Sequence, residues 1–175
     1  EPLVVSAALN LGIKILYDDP NAVGADRLCN AVAAYAKFKT ACIVLDFGTA
    51  TTYDVIAKNG DYLGGVITAG LETIASELHR RAAKLPKVEL HFPKSAIGKN
   101  TVTSMQSGIL FGAVDSLEGM IRRLKKEIGN ATVIATGGLA SLVQLHTTMI
   151  DVIEPWLVLE GIRLIVEKVK SLNRF

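Results

Sequence analysis

Residues 41–67 read ACIVLDFGTATTYDVIAKNGDYLGGVI, from Ala41 to Ile67, and their order decides the fold. Ala41 to Phe47 is an apolar run interrupted only by Asp46, which reads as a buried strand. Gly48-Thr49-Ala50 turns the chain, Thr51 to Ala57 makes a second strand, Lys58-Asn59-Gly60-Asp61 turns it again, and Tyr62 to Ile67 makes a third. Two tight turns in succession require an antiparallel meander, because parallel neighbours need a crossover of about a dozen residues or more.

Outward from the meander the period changes to that of helices. Upstream, a Pro20-Asn21 turn leads into Leu28, Ala31, Val32 and Tyr35, spaced i, i+3, i+4, i+7 on one apolar face. Downstream, Leu71, Ile74, Ala75 and Leu78 share a face, as do Met120, Ile121, Leu124 and Ile128. After Gly129-Asn130 a short strand, Thr132 to Ala135, runs into Thr136-Gly137-Gly138 at the start of another helix. A last amphipathic helix carries Val158, Ile162, Ile165 and Val169. Strand and helix segments alternating in this way define an α/β fold. Three hairpin-linked strands followed by helix, strand and helix suit half of a two-lobed nucleotide-binding architecture better than a doubly wound Rossmann sheet. Neither G-x-G-x-x-G nor the P-loop is present: Gly65 and Gly70 have the P-loop spacing, but Leu71 stands where Lys is required.

Composition narrows the function classes. The 175 residues are 50% hydrophobic and 21% charged, which fits one globular domain or two small lobes and excludes a disordered tail. Nineteen Lys and Arg against seventeen Asp and Glu leave a net charge of +2, spread along the chain, so neither a nucleic-acid partner nor a membrane surface is expected. The uncharged stretch from Ile128 to Ile150 contains Asn130, Gly137, Gly138, Gln144 and His146, and reads as strand, turn and helix instead of a membrane span. Cys29 and Cys42 lie in apolar periodic segments with no metal-ligand spacing, as core residues of a reducing compartment would. With no signal peptide at its start, the chain is expected to be cytoplasmic. His79 reads as part of a solvated helix face, His146 as a helix-end residue, and Met105 and Met120 as core gap-fillers.

Four polar clusters could carry chemistry. In Asp46-Phe47-Gly48-Thr49-Ala50-Thr51-Thr52, a strand-end carboxylate could hold a cation while Gly48, the turn amides and the Thr hydroxyls approach a phosphate; a solvated hairpin turn uses the same residues. Gly24-Ala25-Asp26-Arg27 precedes a helix, so Asp26 either caps it or accepts a hydroxyl proton from a substrate whose anionic group Arg27 binds. Gly98-Lys99-Asn100-Thr101 is a polar turn before a helix, with Thr101 or Thr103 as its cap. Thr136-Gly137-Gly138 permits either close nucleotide approach or tight packing of helix on strand.

Taken in order, these segments resemble the type III pantothenate kinases of the actin, sugar-kinase and chaperone ATPase superfamily. The resemblance rests on Tyr17-Asp18-Asp19-Pro20, Gly24-Ala25-Asp26-Arg27 with Asn30-Ala31-Val32-Ala33-Ala34, the Asp46 to Thr52 segment and Tyr62-Leu63-Gly64-Gly65-Val66-Ile67. It continues through Ala83-Lys84-Leu85-Pro86, Gly98-Lys99-Asn100-Thr101, Gln106-Ser107-Gly108, Thr136-Gly137-Gly138 and Leu157-Val158-Leu159-Glu160-Gly161. It implies a ribonuclease H-like (actin-like ATPase) lobe, with the three-strand meander in a mixed sheet flanked by helices. Residues 1–40 would be a junction from the first lobe carrying the pantothenate loop, and 41–175 the carboxy-terminal lobe.

The implied reaction is ATP-dependent phosphorylation of pantothenate to 4'-phosphopantothenate, the first step of coenzyme A synthesis. Asp26 matches the catalytic base; Tyr17, Gly24, Ala25, Asp26 and Arg27 match pantothenate contacts; Thr49 matches an ATP contact. Asp46 matches the ligand of a monovalent cation, K+ or NH4+, and Mg2+ would accompany the ATP. Thr101 matches a substrate contact made across a homodimer interface, so the site would be shared between two copies. A non-catalytic accessory factor of the same family, or a superfamily kinase for another small hydroxy acid, are the rival expectations. The family's amino-terminal Asp-x-Gly-Asn-Thr phosphate loop is absent from these residues, leaving ATP part of its cradle. Ala69 stands where the family usually has Pro, which is expected to loosen a turn by about 0.4–1 kcal/mol.

Overall fold

The computed structural model describes residues 2–172 and places the meander in a five-stranded mixed sheet. β1 (Cys42–Phe47), β2 (Ala50–Ile56) and β3 (Tyr62–Ala69) pair antiparallel in turn. β4 (Thr132–Gly137) lies parallel to β1, and β5 (Val152–Ile153) parallel to β4, so the order is β3-β2-β1-β4-β5. β1 is the central strand and is buried on both faces, which is why its sequence is apolar with little alternation. β3 extends past its expected end, so Ala69 pairs with Ala50 as the last residue of a strand and does not sit in a turn. β3 is an edge strand of the sheet.

Strand alternation sorts the core into two layers. Ile43, Leu45, Tyr53, Val55 and Val133 face α2 (Leu71–Arg81), α3 (Thr101–Ile128) and the short α4 (Ala140–Gln144). Cys42, Val44, Ile56 and Ile134 face α1 (Ala25–Phe38) and α5 (Leu157–Leu172). The faces read from periodicity hold at Leu28, Ala31 and Val32 of α1, Leu71 and Ala75 of α2, and Ile121 and Leu124 of α3, all buried, but not at Leu78 of α2, which lines an open groove, or Ile162 of α5, both exposed.

α3 is longer than its visible apolar face. It is a single 28-residue helix that includes Gly108, Gly112 and Gly119, although each glycine disfavours helix by about 1 kcal/mol. A Cβ at any of the three would meet nothing within 4 Å, so the glycines lie on an open face. Met105, Ile109, Leu110, Val114, Leu117, Ile121 and Leu124 are buried on the other face, and their burial carries the helix through. The preceding segment, residues 82–100, has no regular structure but is tied to α3. Gln106 Nε2 donates to the Glu89 carbonyl at 2.9 Å and Ser107 Oγ to the Ala96 carbonyl at 2.5 Å.

Both cysteines are core residues, with Cys29 1% and Cys42 0% exposed. Burial pushes each thiol up to about 11, with the Asp26 charge adding to the rise at Cys29. An alkylating reagent at pH 8 should therefore label neither thiol in the native protein and both in denaturant. Mass spectrometry after timed quenching reads this directly, and rapid native labelling would place either thiol outside the core.

Candidate active site

The first turn of α1 projects one side chain outward and two onto the sheet. Gly24 is the N-cap, so Asp26 is a first-turn acid and not the cap itself; its Oδ1 accepts from the Arg27 backbone N–H at 2.8 Å. Asp26 is exposed, as are Gly24 and Ala25. Arg27 and Asn30, one helical turn apart, face inward and are buried.

Arg27 ends in a polar network that crosses β2 and β3. Its Nε donates to Asp54 Oδ1 at 2.7 Å, and Asp54 is 0% exposed. The Tyr62 hydroxyl donates to the same oxygen at 2.8 Å, and Thr52 Oγ1 donates to Oδ2 at 3.3 Å. Burial pushes the Asp54 carboxyl up, while the Arg27 guanidinium and the two hydroxyls pull it back. Burial works against the Arg27 charge too, but Asp54 outweighs it and holds the guanidinium protonated. Arg27 Nη2 is buried with no hydrogen-bond partner among the described residues. It occupies space left by Gly65, where a Cβ would come within 2.8 Å of that nitrogen.

Tyr17 reaches the same place because residues 14–16 run beside the start of β3. Leu16 N–H donates to the Tyr62 carbonyl and Tyr62 N–H to the Lys14 carbonyl, each at 2.8 Å. The Tyr17 ring thus lies against Gly64 and 6.4 Å from the Tyr62 ring, with part of its surface open.

At the end of β1, Asp46 is paired in register with Thr52 of β2 and Thr136 of β4. Asn30 Nδ2 donates to Asp46 Oδ2 at 3.0 Å. Burial pushes the Asp46 carboxyl up, the Asn30 amide pulls it back, and the charge of Asp26 raises it again, so the two carboxylates are electrostatic neighbours. Asn30 Oδ1 is buried and has no partner among the described residues. A partly buried carboxylate beside an orphaned amide oxygen is a donor set that fits a hard cation. Gly137, at φ +90°, presses on this corner: a Cβ there would come 2.8 Å from Asp46 Oδ1 and 2.7 Å from the Phe47 backbone. Tight packing therefore explains Gly137. A Cβ at Gly138 would meet nothing within 4 Å, and that residue leaves the backbone open to approach.

Thr49 sits at the tip of the β1–β2 hairpin, locked because its carbonyl accepts from Gly70 N–H at 3.0 Å and Thr73 Oγ1 at 2.7 Å. It borders an open cleft of about 920 Å3 between α2, residues 87–91 and Leu139. Thr101 is exposed at the first position of α3, on the opposite face of the sheet from α1. The cap of α3 is Asn100, which accepts from Thr103 N–H at 2.9 Å in a reciprocal capping box with Thr103. Thr101 has no capping duty.

One chain therefore gathers Tyr17, Gly24 to Arg27 and Asp46 on one face, puts Thr49 at the hairpin tip against α2 of the other layer, and leaves Thr101 apart. Sequence reasoning missed Asp54, Tyr62 and Asn30 as partners of these residues. Their signal was a polar group inside an apolar run: Asp54 before Val55-Ile56, and Asn30 between Cys29 and Ala31.

Comparison with known proteins gives consistent matches. The family described as Type III pantothenate kinase matches residues 1–123. A type III pantothenate kinase from Desulfatibacillum aliphaticivorans is 50% identical over 173 residues, covering 98% of this chain and 67% of the relative. Those from Syntrophus aciditrophicus (strain SB) and Exiguobacterium sp. are each 48% identical, covering 96% and 95% of this chain and 66% of each relative. The chain thus spans about two thirds of the length of these relatives. Among solved structures, a conserved Baf family protein from Campylobacter jejuni superposes with a TM-score of 0.65 at 18% identity. That superposition covers 91% of this chain and 69% of the other, and supports the fold.

Proposed function

The chain belongs to the type III pantothenate kinase family, and from that membership we propose that its site phosphorylates pantothenate at the primary hydroxyl, with ATP as donor, in the first step of coenzyme A synthesis. The observation that carries the reading is the opposite placement of two sequence neighbours. Asp26 offers an exposed carboxylate near Asp46, while Arg27 is fixed by Asp54 with only 8% of its side chain open. One suits the reacting hydroxyl, the other the carboxylate at the far end of pantothenate.

Asp26 orients the hydroxyl and accepts its proton as its oxygen bonds the γ-phosphorus of ATP and the bond from that phosphorus to the bridging oxygen breaks, releasing ADP. Tyr17 and the Gly24-Ala25 backbone line the substrate, and Thr49 contacts the nucleotide at the cleft's edge. Asp46 and Asn30 Oδ1 would hold a monovalent cation, K+ or NH4+, which together with Mg2+ on the nucleotide offsets phosphate charge when bound. Residues 1–40 form the junction to a preceding lobe in this reading, and the enzyme is cytoplasmic. No helix among the described residues is long and apolar enough to cross a membrane.

Thr101 enters from a second copy in a homodimer. An apolar groove of about 460 Å3, lined by Leu71, Ile74, Leu78 and Met105 and bordered by Gly108 and Gly112, supports this. The glycines offer bare helix backbone to a partner.

Calorimetric titration with pantothenate in potassium buffer tests the reading. Saturable binding is expected, weakened about tenfold by Thr101→Ala, the worth of one well-made hydrogen bond. A folded dimer that does not bind pantothenate would favour an accessory role or another hydroxy acid.

A further inference from the structure

Asp54 is absent from the site as the sequence presents it, yet it is the residue on which Arg27 depends. Both of its carboxylate oxygens are occupied, Oδ1 by Arg27 Nε and the Tyr62 hydroxyl and Oδ2 by Thr52, so it cannot rotate. We propose that Asp54 is a positioning residue that presents the Arg27 guanidinium to the substrate carboxylate and so sets the preference of the site for the acid over its neutral analogues. This rests on the pantothenate reading above and deepens it.

Three observations support the assignment. Arginine is a long, flexible side chain whose planar fork is useful only when its direction is fixed, and the Nε bond to Asp54 fixes it. Nη2 is closed to solvent with no partner among the described residues and Tyr17 supports the charge from one side, so the substrate meets the guanidinium at the 8% of the side chain that stays open. Gly65 leaves that nitrogen its space, since a Cβ there would run into the Tyr53 carbonyl first and then lie 2.8 Å from Nη2. Stability alone is a poor reason for the pair, because buried ion pairs are commonly replaceable by apolar residues without loss.

The test compares two compounds, pantothenate and the same molecule with its carboxylate reduced to an alcohol, titrated into the full-length protein and three variants whose folding is checked by thermal melts. Wild type is expected to prefer the acid, and Arg27→Lys, which keeps the charge but lacks the fork, to reduce the preference. Asp54→Asn should weaken the acid by about ten- to a hundredfold, the range of charge-assisted hydrogen bonds, while the alcohol stays within about threefold. Tyr62→Phe, which removes one support of Asp54 with little change of shape, should shift the ratio part of the way. A protein that binds neither compound overturns the substrate reading. A preference undiminished by Arg27→Lys overturns the role of Arg27 and the proposal with it. A preference reduced in Arg27→Lys but undiminished in Asp54→Asn, or both compounds weakened equally by Asp54→Asn, overturns the proposal alone. Should Asp54→Asn fail to fold, an unchanged ratio in Tyr62→Phe overturns it equally.

Discussion

Asp26→Asn is expected to slow phosphoryl transfer by about 10²–10⁴-fold, the usual contribution of a positioned general base, while most of the pantothenate affinity remains. The variant separates chemistry from binding because it changes so little else. Asp26 is exposed in the first turn of α1, and an amide oxygen can still accept from the Arg27 N–H as Oδ1 does now. Asparagine also suits a helix start, so the loop should keep its shape. What is lost is the ability to take a proton from a primary hydroxyl, a weak acid that needs help late in the transfer. Single-turnover rates and calorimetric affinities measured side by side check this. A variant with an undiminished rate and normal affinity removes Asp26 from the chemistry and leaves it a first-turn acid.

Arg27→Met is the change expected to harm the fold most, by about 3–5 kcal/mol, because it leaves the buried Asp54 charge without its partner. The damage should depend on pH with a definite sign. Burial already pushes the Asp54 carboxyl up, and without Arg27 its largest restraint is gone. The folded state then binds a proton more readily than the unfolded chain, so stability falls as pH rises from the ordinary carboxylate range to the raised folded value. Urea unfolding should therefore show a smaller deficit at pH 5 than at pH 8. The double variant Arg27→Met/Asp54→Asn should recover most of the loss at pH 8, since its amide oxygen can still accept from Tyr62. A deficit independent of pH, or no recovery in the double variant, would mean that the Arg27 side chain acts through packing and not through its charge.

The two experiments bear on neighbouring residues that share one helix turn and differ in what they face. Asp26 faces outward, and its loss should be kinetic. Arg27 faces the sheet, and its loss should appear in stability as well as in binding. Gly24-Ala25-Asp26-Arg27 identifies both residues from sequence, but nothing in those four letters says which of the pair is buried.

Local order was legible because it is written in local chemistry. The turns at Gly48-Thr49 and Asn59-Gly60 fixed the antiparallel meander, the i, i+3, i+4 spacing fixed the buried faces of α1, α2 and α3, and Asp46 at a strand end was visible as a polar break in an apolar run. These features depend on residues within a few positions of one another. The placement of β4 beside β1, the continuity of α3 through its glycines, the separation of Thr101 from Arg27 by the sheet and the bond from Arg27 to Asp54 were decided only in three dimensions. Each joins distant segments through burial: apolar faces choose which elements stack, and the stacking then brings together a guanidinium and a carboxylate that sequence spacing cannot relate. The residue types of the site are properties of the sequence; which of them touch is a property of how the two faces of the sheet are covered.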